Sequence, residues 1–175
     1  ALPIYIAMCL DECPPAGATK DQISQAVARS TNWARSCLNV WSETKAIEDG
    51  RKLFGIVQGG RFQDLRKRSA EELQEIGFPG YAIGGVSVGE PEEEMLEQVS
   101  STIKFLPENL PRYVMGVGTP TQLLKMVGYG VDMFDCVLPT RAARHGTAYT
   151  SRGKINIRNE KFRLDFNPLD KETDC

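Results

Sequence analysis

The chain has 175 residues, 41% hydrophobic and 25% charged, with 16 Gly and 10 Pro, the profile of a folded, soluble protein of ordinary domain size rather than of a disordered or fibrous one. Lys and Arg number 21 and Asp and Glu 23, a net charge of −2, which excludes a globally basic nucleic-acid binder while allowing a local basic patch. No apolar run approaches the roughly 20 residues that span a bilayer, so no membrane association is expected.

Short β-rich apolar runs alternate with longer segments of helical period. The first run is 4–10. Thr19 to Trp41 follows, with Ile23, Val27, Trp33, Cys37 and Trp41 near a 3.6-residue period and Thr19 and Gln22 at the spacing of a capping box. Leu53–Val57 reads as the second strand, and Phe62, Leu65, Ser69, Leu73 and Ile76 mark the helix after it. Tyr81–Gly84 is the third strand, followed by a helix marked by Met95, Leu96, Val99 and Ile103. Tyr113–Val117 is the fourth. Thr119-Pro120-Thr121-Gln122 combines an N-cap, a proline at the first helical position and a capping glutamine, and that helix ends near Gly128 and Gly130. Met133–Leu138 is the fifth strand. The texture changes after Pro139: Thr147–Thr150 and Lys154–Arg158 read as a hairpin around Ser151-Arg152-Gly153.

Five strands joined by four helices imply parallel βαβ units, in an open doubly wound sheet or in part of a (β/α) barrel. Neither a GxGxxG nor a GxxxxGK[ST] stretch follows any strand, which weakens the nucleotide-fold options. A barrel needs eight strands and usually about 250 residues. Five cannot close one, and the first begins almost at residue 1, so the chain reads as the C-terminal part of a longer protein. Residues 1–140 form the barrel portion in this reading, and 141–175 a basic hairpin segment. Positions 141–163 hold seven Arg or Lys and one acidic residue, Glu160, whereas 90–108 hold six Glu and one Lys. The five cysteines, Cys9, Cys13, Cys37, Cys136 and Cys175, are odd in number and fit reduced thiols of a cytoplasmic protein better than a disulfide scaffold.

In parallel α/β folds ligands bind at the carboxyl ends of the strands. Those ends are Asp11-Glu12-Cys13, Gln58-Gly59-Gly60, Gly84-Gly85-Val86-Ser87, Gly116-Val117-Gly118 and Asp135-Cys136, the last leading to Pro139-Thr140-Arg141. Asp11 and Asp135, one carboxamide and several glycines thus converge on one rim. A carboxylate can accept from two adjacent N–H groups of a purine such as guanine. A carboxamide and a backbone N–H can donate to its carbonyl, and a second carboxylate could attack an anomeric carbon. Blander readings stand beside these: Asp11 as a helix cap or ion-pair partner, Gln58 as a strand-end backbone partner, Gly84-Gly85 as a plain turn. An unpaired Asp135 in an apolar strand would be costly, which favours a functional role. His145 reads as an exposed loop residue, and Cys9 and Cys37 as small core residues.

Taken together these stretches resemble the bacterial tRNA-guanine transglycosylase family over essentially the whole chain. The residues concerned are Leu10–Cys13, Phe54–Gly59, Tyr81–Gly85 through Gly89-Glu90, Arg112–Gly118 and, most specifically, Asp132-Met133-Phe134-Asp135-Cys136-Val137-Leu138-Pro139-Thr140-Arg141. The resemblance implies an incomplete (β/α)8 TIM-type barrel of about five βα units. It also implies an enzyme of queuosine biosynthesis that exchanges the wobble guanine of tRNA for a 7-deazaguanine. Asp135 falls on the family nucleophile and Asp11 on the carboxylate that pairs with the base. Gln58 and Gly85, with Gly84 beside them, fall on the donors to its carbonyl. Met115 falls on the residue packed against the base, with Tyr113 and Gly116 nearby, and the Val86 carbonyl on the acceptor of an aminomethyl group. Arg141 and Arg144 fall on tRNA-contacting positions. Cys13 and Val88 occupy pocket positions, and Val88 looks like the bacterial form, which takes the smaller base preQ1.

The resemblance implies a homodimer for the full-length protein. It also implies a structural zinc site, but here Thr173 stands at its first cysteine and only Cys175 matches, so no zinc is expected in this chain. Alone, the 175 residues are expected to be inactive. Two other classes compete. One is a non-catalytic tRNA-binding or partner subunit of the same family, against which the retained Asp135, Asp11 and Gln58 argue. The other is a barrel glycosidase or nucleosidase using the two carboxylates, against which the basic segment argues.

Overall fold

The structure is a computed structural model that describes residues 5–44 and 48–172. It has two compact units, Ala1–Asp135 and Cys136–Cys175. In the first, β1 (Ile6–Met8), α1 (Lys20–Ser42), β2 (Lys52–Val57), α2 (Gln63–Ile76), β3 (Tyr81–Ile83), α3 (Glu92–Thr102), β4 (Arg112–Val114), α4 (Pro120–Tyr129) and β5 (Met133–Phe134) follow one another. The five strands form one sheet in the order β1-β2-β3-β4-β5, and every pairing is parallel. A doubly wound sheet reverses its strand order at a switch point. Consecutive order without reversal is the barrel's arrangement, here with five of its eight strands.

Both faces of β2 and β3 are buried, as parallel strands covered by crossover helices require. Val57, Ala82, Ile83 and Val114 have no exposed surface and centre the core. Capping boxes start α1 at Thr19 and Gln22 and α4 at Thr119 and Gln122, where Pro120 opens the helix. Gly77 and Gly130 end α2 and α4 in the left-handed conformation.

Three local expectations are corrected. Trp33 is exposed rather than on the buried stripe of α1, which consists of Ile23, Ala26, Val27, Ser30, Thr31 and Ala34. The first and fourth strands end earlier than expected, at Met8 and Val114, and position 4 of the first run lies outside the described residues. The fifth strand stops at Phe134, and Leu138–Arg144 forms a helix, α5, with Pro139 in its first turn. Proline cannot donate to a sheet ladder but suits a first helical turn.

The second unit holds α5 and a hairpin of β6 (Thr147–Thr150) and β7 (Gly153–Asn156). Pairing of Thr150 with Gly153 leaves a two-residue turn, Ser151-Arg152. Asp170 fastens it by accepting from the Ser151 N–H at 2.6 Å and from its hydroxyl at 3.1 Å. Among the described residues no helix is long and apolar enough to cross a membrane.

Between β2 and β3, glycines make room for rings. The Gly55 N–H donates to the Gly80 carbonyl at 3.2 Å. A Cβ on Gly80 would lie 2.4 Å from the Phe54 ring, and one on Gly55 2.8 Å from Phe78. Gly80→Ala therefore overpacks the core, and urea unfolding should register a loss of about 1–3 kcal/mol.

Candidate active site

The rim at the carboxyl ends of the strands holds two groups of side chains. The first lies beyond β1, β2 and β3. Asp11 Oδ2 accepts from Gln58 Nε2 at 2.6 Å. Gln58 is buried, and its own N–H donates to the Ser69 hydroxyl of α2 at 3.1 Å. Gly84 and Gly85 press against its amide: a Cβ on Gly84 would stand 2.7 Å from Nε2, and one on Gly85 2.6 Å from Oε1. Gly85 also has a φ of +62°, which an L side chain adopts only with strain. Cys13 belongs to this group. Desolvation pushes its thiol pKa up, while hydrogen bonding from the Gly85 backbone and the Gln58 amide pulls the other way.

The second group lies beyond β4 and β5. Asp135 Oδ1 accepts from the Tyr113 hydroxyl at 3.0 Å and from the Gly116 N–H at 3.2 Å. Burial first, then the hydrogen bond to Asp135 and its negative charge, push the Tyr113 phenol up to about 12. Met115, half-buried on the same strand end, packs against the core. The groups are joined by the Ser87 hydroxyl, which donates to the Gly116 carbonyl at 3.0 Å. Ser87 is a non-glycine residue at positive φ, 59°. Glu90 holds it there by accepting from the Ser87 and Val88 N–H groups, the latter at 2.9 Å.

Comparison with known proteins bears on what this rim is for. Residues 5–175 match the family model described as Queuine tRNA-ribosyltransferase. The queuine tRNA-ribosyltransferase of Halothermothrix orenii is 54% identical over 97% of this chain and 44% of its own length. That of Bacillus subtilis is 50% identical over 100% of the chain and 45% of its own length, and that of Staphylococcus haemolyticus 51% identical over 97% and 44%. The chain belongs to the queuine tRNA-ribosyltransferase family. It spans less than half the length of these curated relatives.

Within this member of the family, Asp11, Cys13, Gln58, Gly84 and Gly85 come together, and so do Tyr113, Gly116 and Asp135. Val86 is buried in the loop between the groups. Arg141 and Arg144 lie in the last turn of α5, both exposed and three residues apart, hence on one face. His145 caps that helix and is exposed. Cys9 is buried and Cys37 half-buried; with Cys13 and Cys136 they are free thiols. Among the described residues no three His, Cys, Asp or Glu side chains gather as a metal would require. Thr173 and Cys175 lie outside the described residues.

Sequence reasoning missed Arg66, whose guanidinium is buried beneath the Gly84-Gly85 loop, and the joining roles of Ser87 and Glu90. A signal for Arg66 existed. It sits four residues after Phe62 and three before Ser69, a charge on the stripe that α2 turns inward.

A phenol whose folded pKa is raised favours its neutral form in the folded state. The stabilisation from Tyr113 is complete below the ordinary value of 10.0 and is lost as pH rises through about 12. The ultraviolet phenolate titration of the protein, minus that of Tyr113→Phe, should show a midpoint near 12. Asp135→Asn should lower that midpoint without bringing it to 10.0, because burial, the larger cause, remains.

Proposed function

We propose that the full-length protein exchanges the wobble guanine of tRNA for a 7-deazaguanine base, with Asp135 as nucleophile and Asp11 as the base-pairing carboxylate. The observation that carries this reading is how Asp135 is held. Both of its donors, Tyr113 and Gly116, address Oδ1, so the carboxylate is oriented by neutral groups and Oδ2 is left for attack. In the first step an oxygen of Asp135 forms a bond to the ribose anomeric carbon, and the glycosidic bond to guanine breaks. Its electron pair goes to the departing base, which takes up a proton. In the second step the incoming base gives up a proton and its nitrogen displaces the carboxylate. One base replaces another with no net redox change and no water consumed. The target nucleotide must leave its stack to reach the rim.

Asp11 supports the base-binding role because it is oriented by a neutral amide rather than neutralised by a cation. Two of its lone-pair directions remain for a bidentate pair with the N–H groups of guanine. Cys13 and Val88 stand at pocket positions of the family, and the valine supports the small aminomethyl base preQ1 over a base bearing a cyclopentenediol. Arg141 and Arg144 are suited to phosphate contacts. Zinc has no part in the chemistry proposed. Thr173 stands at the family's first cysteine position, and threonine is not among the usual zinc ligands.

A denaturing gel of the full-length protein with tRNA bearing a wobble guanine should show a covalent band that Asp135→Asn abolishes. A band surviving that change would place the nucleophile elsewhere. Asp11→Ala should weaken guanine binding by about tenfold to a hundredfold, the worth of a charge-assisted pair, with tRNA affinity nearly unchanged. Equal losses of both would overturn the pocket.

A further inference from the structure

Arg66 is 1% exposed, and among the described residues no carboxylate lies within ion-pair distance of it. Burying a cation without a counter-ion is costly unless its donors are satisfied. Its partners are almost all backbone. Nε donates to the Gly60 carbonyl at 2.5 Å, Nη1 to the Gly84 carbonyl at 3.1 Å, and Nη2 to the Gly85 carbonyl at 3.1 Å and to Gln98 Oε1 at 2.7 Å. Gln98 is held in turn by Glu94, which accepts from its Nε2 at 3.1 Å. The stem of Arg66 fills the space above Gly59, where a Cβ would lie 2.6 Å from its Cγ. One fork therefore ties the loop after β2, which follows Gln58, to the loop after β3, which carries Gly85.

In a trans peptide unit the C=O and the following N–H point in opposite directions. Fixing the Gly84 carbonyl on the guanidinium fixes the Gly85 N–H away from it, and fixing the Gly85 carbonyl does the same for the N–H of Val86. We propose that Arg66 is a positioning residue that presents the Gly85 N–H to the carbonyl oxygen of the bound base. This rests on the base-exchange reading above. Lysine cannot replace it, because an ammonium is a point donor without a planar fork to span two successive carbonyls.

The test measures equilibrium binding of guanine and of 6-thioguanine to the full-length protein and to its Arg66→Lys and Arg66→Met variants. Thioguanine keeps the N1–H and amino groups that face Asp11 but offers a weakly accepting sulfur in place of the carbonyl oxygen. The expected result is a guanine Kd raised about fivefold to tenfold, the worth of one neutral hydrogen bond, with the thioguanine Kd nearly unmoved. Equal losses for both ligands, or no loss, would overturn the positioning role and leave the pocket reading standing. A wild-type protein that does not distinguish the two bases would overturn the pocket reading itself. Should both Arg66 variants fail to fold, Gln98→Met removes one acceptor from the fork and must give a smaller loss of the same selectivity. Its absence would overturn the proposal.

Discussion

Consecutive parallel pairing is the constraint from which the rest of the molecule follows. Because β1 to β5 neighbour one another in chain order, every carboxyl end lies at the same rim and every return helix on the outside. Residues as distant in sequence as Asp11 and Asp135 then share one edge of one sheet. The strands need no polar side chains within their buried length, so polar groups collect where the ladder ends. The shortness of β1, β3, β4 and β5 is part of the same arrangement. Each strand pairs for only a few residues and then releases its backbone into a loop whose N–H and C=O groups become available to side chains and ligands.

Asp11 and Asp135 at that rim are held by neutral donors. An amide orients Asp11, and a phenol with a backbone N–H orients Asp135. Had either been paired with a guanidinium, its lone pairs would have been occupied by the strongest donor a protein can supply. Arg66, buried beneath the rim, spends its fork on carbonyl oxygens instead. Burial lowers its pKa to about 10, so it stays charged at neutral pH. From Arg66 the contacts run through Gly84 and Gly85 to Ser87, from Ser87 to Gly116, and from Gly116 to Asp135. Orientation is thereby shared between the Gly84-Gly85 loop and Asp135 without a salt bridge in the path.

Much of this was legible in the sequence, for physical reasons. Strand ends are punctuated by Gly, Asp and Gln because backbone turns there and polar groups gather there. The pattern that read as Thr119-Pro120-Thr121-Gln122 is a capping box in the structure because its hydroxyl, proline and amide each meet a separate need of the first turn. The helix over Leu138–Arg144 was not legible, since Met133–Leu138 is apolar enough to read as one strand. Only the geometry of Pro139 decides where the ladder must stop. Trp33 was misplaced because periodicity tolerates a residue at the border of a stripe, whereas packing does not. Arg66 was passed over because a charged side chain on a helix is usually solvated, and only the carbonyls of a loop from the next βα unit make its burial sustainable.

Gln58 shows how closely these parts constrain one another. Its Oε1 is buried and, among the described residues, has no hydrogen-bond partner, an arrangement that ordinarily costs about 1–3 kcal/mol. Rotating the amide by half a turn would not relieve it, because the oxygen would then face the Asp11 carboxylate and Nε2 would lose its acceptor. The charge on Asp11 therefore selects which end of the amide points where. Nε2 carries two hydrogens, and Asp11 takes one. The same amide leaves no room for a Cβ at position 84 or 85. The glycine pair is thus fixed by the Gln58 side chain before any ligand arrives, Gly84 against Nε2 and Gly85 against Oε1.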